Sequence, residues 1–357
     1  MKKEHILVIR FSAMGDVAMM VPVVYSLAHQ YPDIRITVLS RTFARPFFED
    51  LAPNVGFMAA DLKNEYRGIK GLNALYRRLA AKQFTAVADL HSVLRSEYLR
   101  MRFNLGHYRV AHINKHRKGR RRITSASNKE LVQQPTSFQN YIDVFAKLGY
   151  PVEIQFKSIF PEEGGNLNML PKELCVKKNY EQWIGIAPFA AHEGKTYPPR
   201  LMHQVIEQLI VKYPKARILL FGRGELEDQC FTEWCEQHPA CIYVSKLLES
   251  LHQELILMSH LDVMVSMDSS NMHMASLTDT PVVSVWGATH PYAGFMGWGQ
   301  SEENAVQIPL DCRPCSIFGQ KPCLRGDYAC MRNIAPETIV EKVVKIIDKR
   351  YFFSNNP

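Results

Sequence analysis

The 357-residue chain has no Asp-x-Asp pair anywhere, which removes one common means of holding a divalent cation against a diphosphate. No Gly-x-Gly-x-x-Gly follows its first apolar run, which argues against a nicotinamide-dependent oxidoreductase. No apolar stretch approaches the length that spans a bilayer. The opening "MKKEHILVIRFSAMGDVAMMVPVV" faintly resembles a signal peptide, but Arg10 and Asp16 interrupt its apolar run and no small-residue cleavage site follows cleanly. It reads instead as a buried strand and an amphipathic helix, and a cytoplasmic location is expected. Internal repeats and low-complexity tracts are absent. Few aromatics interleave the basic residues and no nucleic-acid module surrounds them, so no nucleic-acid partner is expected.

What is present is ordinary in proportion and uneven in placement. Forty-six per cent of residues are hydrophobic and 22% charged, as in globular domains, and the length favours two of them. Residues 1–165 hold 25 Lys+Arg against 14 Asp+Glu, whereas 166–357 hold 18 against 21. The excess peaks in "NKHRKGRRR" (Asn114 to Arg122). Such a run is either a solvated loop or an anion-binding face for acidic ligands or lipid headgroups.

Short β-branched runs alternate with helix-like stretches. Strands are expected at His5–Arg10, Ile34–Leu39, Gly56–Met58, Thr85–Leu90 and Tyr108–His112, then at Trp183–Ala187, Arg217–Phe221, Ile242–Val244, Val263–Met267 and Val282–Trp286. This pattern predicts an α/β protein with two doubly wound parallel sheets. The expected division is 1–165, 175–335 and a terminal helix and tail, 336–357, with "FPEEGGNLNMLPKE" (Phe160 to Glu173) as the connection. Two such domains with a cleft between them are the GT-B architecture.

Several loops carry chemistry. In "IRFSAMGDV" a strand enters a turn where Gly15 allows close backbone approach and Asp16 either caps the first helix or serves as a base. In "VSMDSSNMHMASLTDTPVVSVWGATHP", Asp268 ends a strand and Ser269, Ser270 and Asn271 open a helix. A second strand ends in Gly287, Ala288 and Thr289. Capping alone accounts for Asp268 and Ser269, but two such strand ends in succession favour a diphosphate pocket.

These segments resemble glycosyltransferase family 9, the heptosyltransferases. The family carries Asp-Ser/Thr with His five residues on, matching Asp268, Ser269 and His273, and then a strand ending in Gly-Pro/Ala-Thr. "IRFSAMGDV" is similar to its Ser-x-Met/Ile-Gly-Asp loop, "DLHSVLRS" to its Asp-x-Gln-x-x-x-Arg-Ser segment, and "IGIAPFAAHEGKTYPP" to its loop ending in Lys-x-Trp/Tyr-Pro. Ser270 stands where the family usually has Gly, and His91 where it has Gln. The resemblance implies an inverting, metal-independent transfer of heptose from ADP-heptose to lipopolysaccharide core, with Asp16 as the base. Lys195, Glu225, Asp268, Ser269, Ser270, Asn271, His273 and Thr289 are then expected to hold the nucleotide-sugar donor. Ser12, Met14, Gly15, His91, Arg95, Ser96 and Arg120 are expected on the side of an anionic lipid-linked glycan acceptor, peripheral at the inner face of the inner membrane. Another nucleotide-sugar or acceptor, or a non-catalytic sugar-nucleotide binder of this fold, are the alternatives.

Of eight cysteines, Cys175, Cys230, Cys235 and Cys241 are scattered, consistent with reduced thiols. Cys312, Cys315, Cys323 and Cys330 are clustered, but only the first pair has zinc-finger spacing. No cofactor is required by this reading. A structural zinc at the four clustered cysteines is the minority alternative, and no metal is assigned.

Overall fold

Each apolar run becomes a strand in the computed structural model, which describes residues 4–355, the side chains of the last four excepted. The first sheet comprises β1 (His5–Ile9), β2 (Arg35–Ser40), β3 (Val55–Ala59), β4 (Ala86–Asp89) and β5 (Arg109–His112), in the order β3-β2-β1-β4-β5. The second comprises β6 (Trp183–Ala187), β7 (Arg217–Leu220), β8 (Cys241–Tyr243), β9 (Val263–Met267), β10 (Val282–Val285) and β11 (Ala305–Val306), in the order β11-β10-β9-β6-β7-β8. Only β11 was not expected, because two residues carry no readable period. All nine strand pairs are parallel. Parallel strands need crossover helices, which cover both faces and explain the unbroken apolar runs. All residues of β1, β6 and β9 are buried.

Chain order reverses between β1 and β4 in the first sheet, and between β6 and β9 in the second. These are the switch points at whose carboxyl edge ligands bind in open α/β sheets. Register brings the relevant ends level: Ile9 lies opposite Asp89, and Ala187 opposite Ser266. The loops after β1 and β4 therefore meet, as do those after β6 and β9.

The chain divides into two units, Met1–Lys115 with Pro135–Ile159, and His116–Gln134 with Phe160–Pro357. This corrects the expected boundary at three places. Residues 116–134 belong to the second unit, because Gln134 N donates to Tyr292 O at 2.9 Å and Lys129 Nζ to the Asp311 and Arg313 carbonyls. The presumed connection docks on the second unit through Gly165, whose N–H donates to Ser259 Oγ at 2.9 Å. The terminal helix Pro336–Asn355 buries Ile339, Val343 and Ile347 in the core with Met202, Val205, Ile206 and Leu209 of helix Pro199–Lys212. Each such side chain contributes about 1.5–3 kcal/mol, so this helix is core rather than tail. Residues 356–357 of the expected tail lie outside the described residues. Among the described residues, no helix is long and apolar enough to cross a membrane.

The charge excess survives the correction. The first unit holds 19 Lys+Arg against 11 Asp+Glu, and the second 24 against 24.

Candidate functional site

At the β1/β4 switch point, the residue ending the first apolar run is Arg10. Its guanidinium is buried and reaches Asp16 Oδ2 at 2.9 Å. It also donates to Leu90 O and lies over the Tyr141 ring. Tyr141 in turn donates its hydroxyl to Asp16 O at 3.1 Å. Burial opposes the Arg10 charge, but Asp16 and Tyr141 outweigh it and raise its pKa. Asp16 sits in the first turn of helix Met14–Ala18 and accepts from Ala13 N at 3.3 Å, so it caps the helix as well. Its side chain is 27% exposed, against 8% for Arg10. A fixed carboxylate is thus presented on a buried cation.

Beside it, the fully buried Asp89 builds the turn after β4. It accepts from His91 N and Ser92 N at 3.0 and 2.9 Å, and Arg100 pairs with its other oxygen at 3.2 Å. The turn places His91 against the β1 loop, with Nδ1 facing Phe11 N and Nε2 facing Ser12 Oγ, both at 3.4 Å. Burial, then Arg10 and Lys115, push the His91 pKa down to about 3. The ring is therefore neutral near pH 7. Accepting from Phe11 at Nδ1, it carries its proton on Nε2 toward Ser12.

Among the expected acceptor residues, the structure brings Ser12, Met14, Gly15 and His91 together around Asp16. Ser96 is fully buried and occupied by its own helix start, exchanging hydrogen bonds with Val93 N and O at 3.1 Å. Arg95 is exposed on the same turn. Arg120 is a correction. It lies in helix Arg117–Ile123 of the second unit, buried under the Phe295 ring at 4.6 Å.

At the β6/β9 switch point the charges are reversed. Lys195, from the single helical turn Glu193–Lys195, reaches Asp268 Oδ2 at 3.1 Å, with side chains 15% and 6% exposed. Ser269, Ser270 and Asn271 open the helix Ser270–Ser276, with Ser269 Oγ 3.2 Å from Ser266 Oγ. Here a buried carboxylate holds an ammonium. His273 and Thr289 lie beneath the surface, and Thr289 Oγ1 has no partner among the described residues. Glu225 is exposed at the first position of helix Glu225–Gln237 after β7.

Sequence reasoning missed what braces this second site. Arg313 is buried in the cysteine-rich segment and donates to the carbonyls of Trp286 and Thr289 at 3.0 Å, and to Gly287 O at 2.5 Å. It thereby fixes the loop after β10. Ala288 N donates to Gly194 O at 2.8 Å, joining that loop to the Lys195 turn. Position 287 needs glycine, since a Cβ would lie 2.5 Å from Gly194 O. Gly319 packs on the Lys195 stem so closely that a Cβ would meet Cδ at 2.5 Å. The only sequence signal was an arginine set between two cysteines.

The four clustered cysteines line a cavity of about 10 Å³, room for one water-sized sphere. Burial pushes Cys330 up to about 11, while at Cys323 it is outweighed by backbone N–H groups of Tyr328, Arg325 and Gly326, which lower it. No three of their sulfurs lie within 4.8 Å of one another, so an ion there would have to draw them inward.

Two doubly wound sheets with charged pairs at both switch points place the chain among GT-B glycosyltransferase folds. The family model of glycosyltransferase family 9 (heptosyltransferase) matches residues 72–324, and the chain belongs to that family. A lipooligosaccharide heptosyltransferase 2 from Campylobacter jejuni is 27% identical over 138 residues. That match covers 36% of this chain and 40% of the relative's length. Lipopolysaccharide core heptosyltransferase OpsX of Haemophilus influenzae is 24% identical over 98% of both chains. The E. coli heptosyltransferase WaaC, solved with ADP and with ADP-2-deoxy-2-fluoro heptose, shares the fold at TM-scores of 0.67 and 0.66. In both cases the identity is 17%, and 95% of this chain and 99% of WaaC are covered.

Proposed function

We propose that this protein transfers a heptose from ADP-heptose, with inversion and without a divalent metal, to an acidic lipid-linked acceptor of lipopolysaccharide core. The observation that carries the reading is that one unit holds a half-buried carboxylate, Asp16, at its switch point, and the other a half-buried ammonium, Lys195, at its own. Asp16 takes the acceptor hydroxyl proton as that oxygen bonds to the anomeric carbon. The bond from that carbon to the diphosphate breaks with its electron pair, and ADP leaves. Lys195 and the N–H groups of Ser269–Asn271 meet the added negative charge. The lack of any Asp-x-Asp and the ADP-bound WaaC relative support the donor and metal readings. Transfer from ADP-heptose that persists in EDTA is the expected result. Strict dependence on added Mg²⁺ or Mn²⁺ would overturn the leaving-group chemistry.

Peripheral membrane association is part of the proposal and rests on helix Leu94–Leu105. It buries Ser96, Leu99 and Phe103 on one face. On the opposite face the exposed Leu94, Met101 and Leu105 recur at i, i+7 and i+11. Leu94 is 85% exposed and Leu105 70%. Exposed Arg95 flanks this stripe on a unit of net positive charge, a combination suited to an anionic bilayer surface.

The cysteine cluster is proposed to hold one structural metal, with Cys312, Cys315, Cys323 and Cys330 as ligands. An ion there would stiffen the segment carrying Arg313. Elemental analysis of wild type against C312S/C315S tests it, with one more equivalent of metal expected in the wild type than in the variant.

A further inference from the structure

A second group of metal-binding side chains lies away from both strand-end loops. Among the described residues, His203, Glu207 and His238 form the group whose ligand atoms all lie within 4.8 Å of one another. His203 and Glu207 are four residues apart on helix Pro199–Lys212 and share a face. His238 ends helix Glu225–Gln237. The two Nε2 atoms face each other at 3.0 Å. His203 is stacked on Trp234, with ring centroids 5.8 Å apart and planes 15° apart, which fixes the direction of its ring. The Glu207 carboxylate makes no hydrogen bond or ion pair with any described residue. A carboxylate without a cation thus stands beside two imidazoles that share one Nε2–Nε2 hydrogen bond, and loss of its proton leaves both nitrogens turned to one point.

We propose that His203, Glu207 and His238 bind an exchangeable divalent ion of the zinc class. Metal–nitrogen bonds of about 2.0–2.1 Å in a tetrahedral site set two nitrogens about 3.3 Å apart. The rings need to part by only a few tenths of an ångström. Two imidazoles with one carboxylate favour zinc-like ions over Mg²⁺ or Ca²⁺, which prefer all-oxygen shells. Three protein ligands leave the fourth position to water on the exposed side, so the ion can exchange, unlike one in a closed four-ligand cage. The ion would tie the helix that follows the Lys195 turn to the end of the helix that begins at Glu225. Occupancy would therefore stabilise the supports of the second switch point without entering the reaction.

The test is Co²⁺ and Zn²⁺ titration of untagged, full-length protein, comparing wild type, C312S/C315S and H203Q/H238Q. In C312S/C315S the expected Co²⁺ spectrum has weak visible bands without the near-ultraviolet charge transfer of thiolate ligands. H203Q/H238Q should lose those bands, and E207Q should weaken Zn²⁺ binding by roughly tenfold. Zn²⁺ should raise the melting temperature of C312S/C315S but not of a variant that also carries H203Q/H238Q. If C312S/C315S does not fold, the wild-type minus H203Q/H238Q difference spectrum carries the same comparison. Uptake unchanged by H203Q/H238Q, or a difference spectrum with thiolate character, would overturn the proposal.

Discussion

The two units use one plan with opposite polarity. Each places an ion pair at the carboxyl edge where its strand order reverses. In the first the cation, Arg10, is buried and the carboxylate, Asp16, is offered to solvent. In the second the carboxylate, Asp268, is buried and the cation, Lys195, is offered. A doubly wound sheet supplies the position, and the order of charges decides whether it suits a proton or an anion. The buried member is a positioning group in each case, since it orients the presented one. The units differ in bracing too. Tyr141 and Asp89 fix the first site from within its own unit, whereas the second leans on the cysteine-rich segment through Arg313 and Gly319.

The largest effect should come from Asp16→Asn, which keeps shape and removes the base. Turnover is expected to fall by roughly 10²–10⁴-fold, measured as heptose transfer under saturating donor. Retained turnover would mean that the first pair is only a helix cap. Lys195→Ala should lower kcat/KM for the donor by about 10²-fold, the size of one charge-assisted hydrogen bond of about 2–3 kcal/mol. A loss confined to the acceptor KM would break the division of roles.

These contrasts were partly legible beforehand. Ten of the eleven strands could be read from β-branched runs, because parallel strands buried on both faces leave an unbroken apolar signature. Asp16 and Asp268 stood out by their place after strand ends, whereas Lys195 stood out only through the family resemblance. Their partners did not stand out equally. Arg10 looked like an interruption in an apolar run, although an arginine closing a buried strand must find a carboxylate or carbonyls. The cluster at 117–122 was misplaced, because a run of cations does not say which surface it docks on. That was fixed by Gln134, Lys129 and the burial of Arg120 against Phe295.

A smaller effect concerns pH. His91 and His290, pushed by burial to about 3 and about 4, stay neutral in the fold while the unfolded chain protonates near 6.5. The unfolded state then binds more protons as pH falls, so stability declines from about pH 6.5 downward. The slope is at most about 1.4 kcal/mol per pH unit for each histidine. His91→Gln should flatten denaturation midpoints measured between pH 6.5 and 4, and an unchanged slope would show that His91 is not buried neutral. Smallest of all, neutralising Arg117, Lys118 and Arg121 should alter donor affinity by less than about twofold, since exposed charges are screened within about 8 Å. Leu94→Ser with Leu105→Ser should instead weaken sedimentation with anionic vesicles while leaving donor binding unchanged.

The inverted polarity is tested most directly by calorimetric titration of ADP into wild type, Asp16→Asn and Lys195→Ala. The account predicts wild-type ADP affinity in Asp16→Asn and a loss of about tenfold or more in Lys195→Ala. Equal losses in both variants, or none in Lys195→Ala, would contradict it.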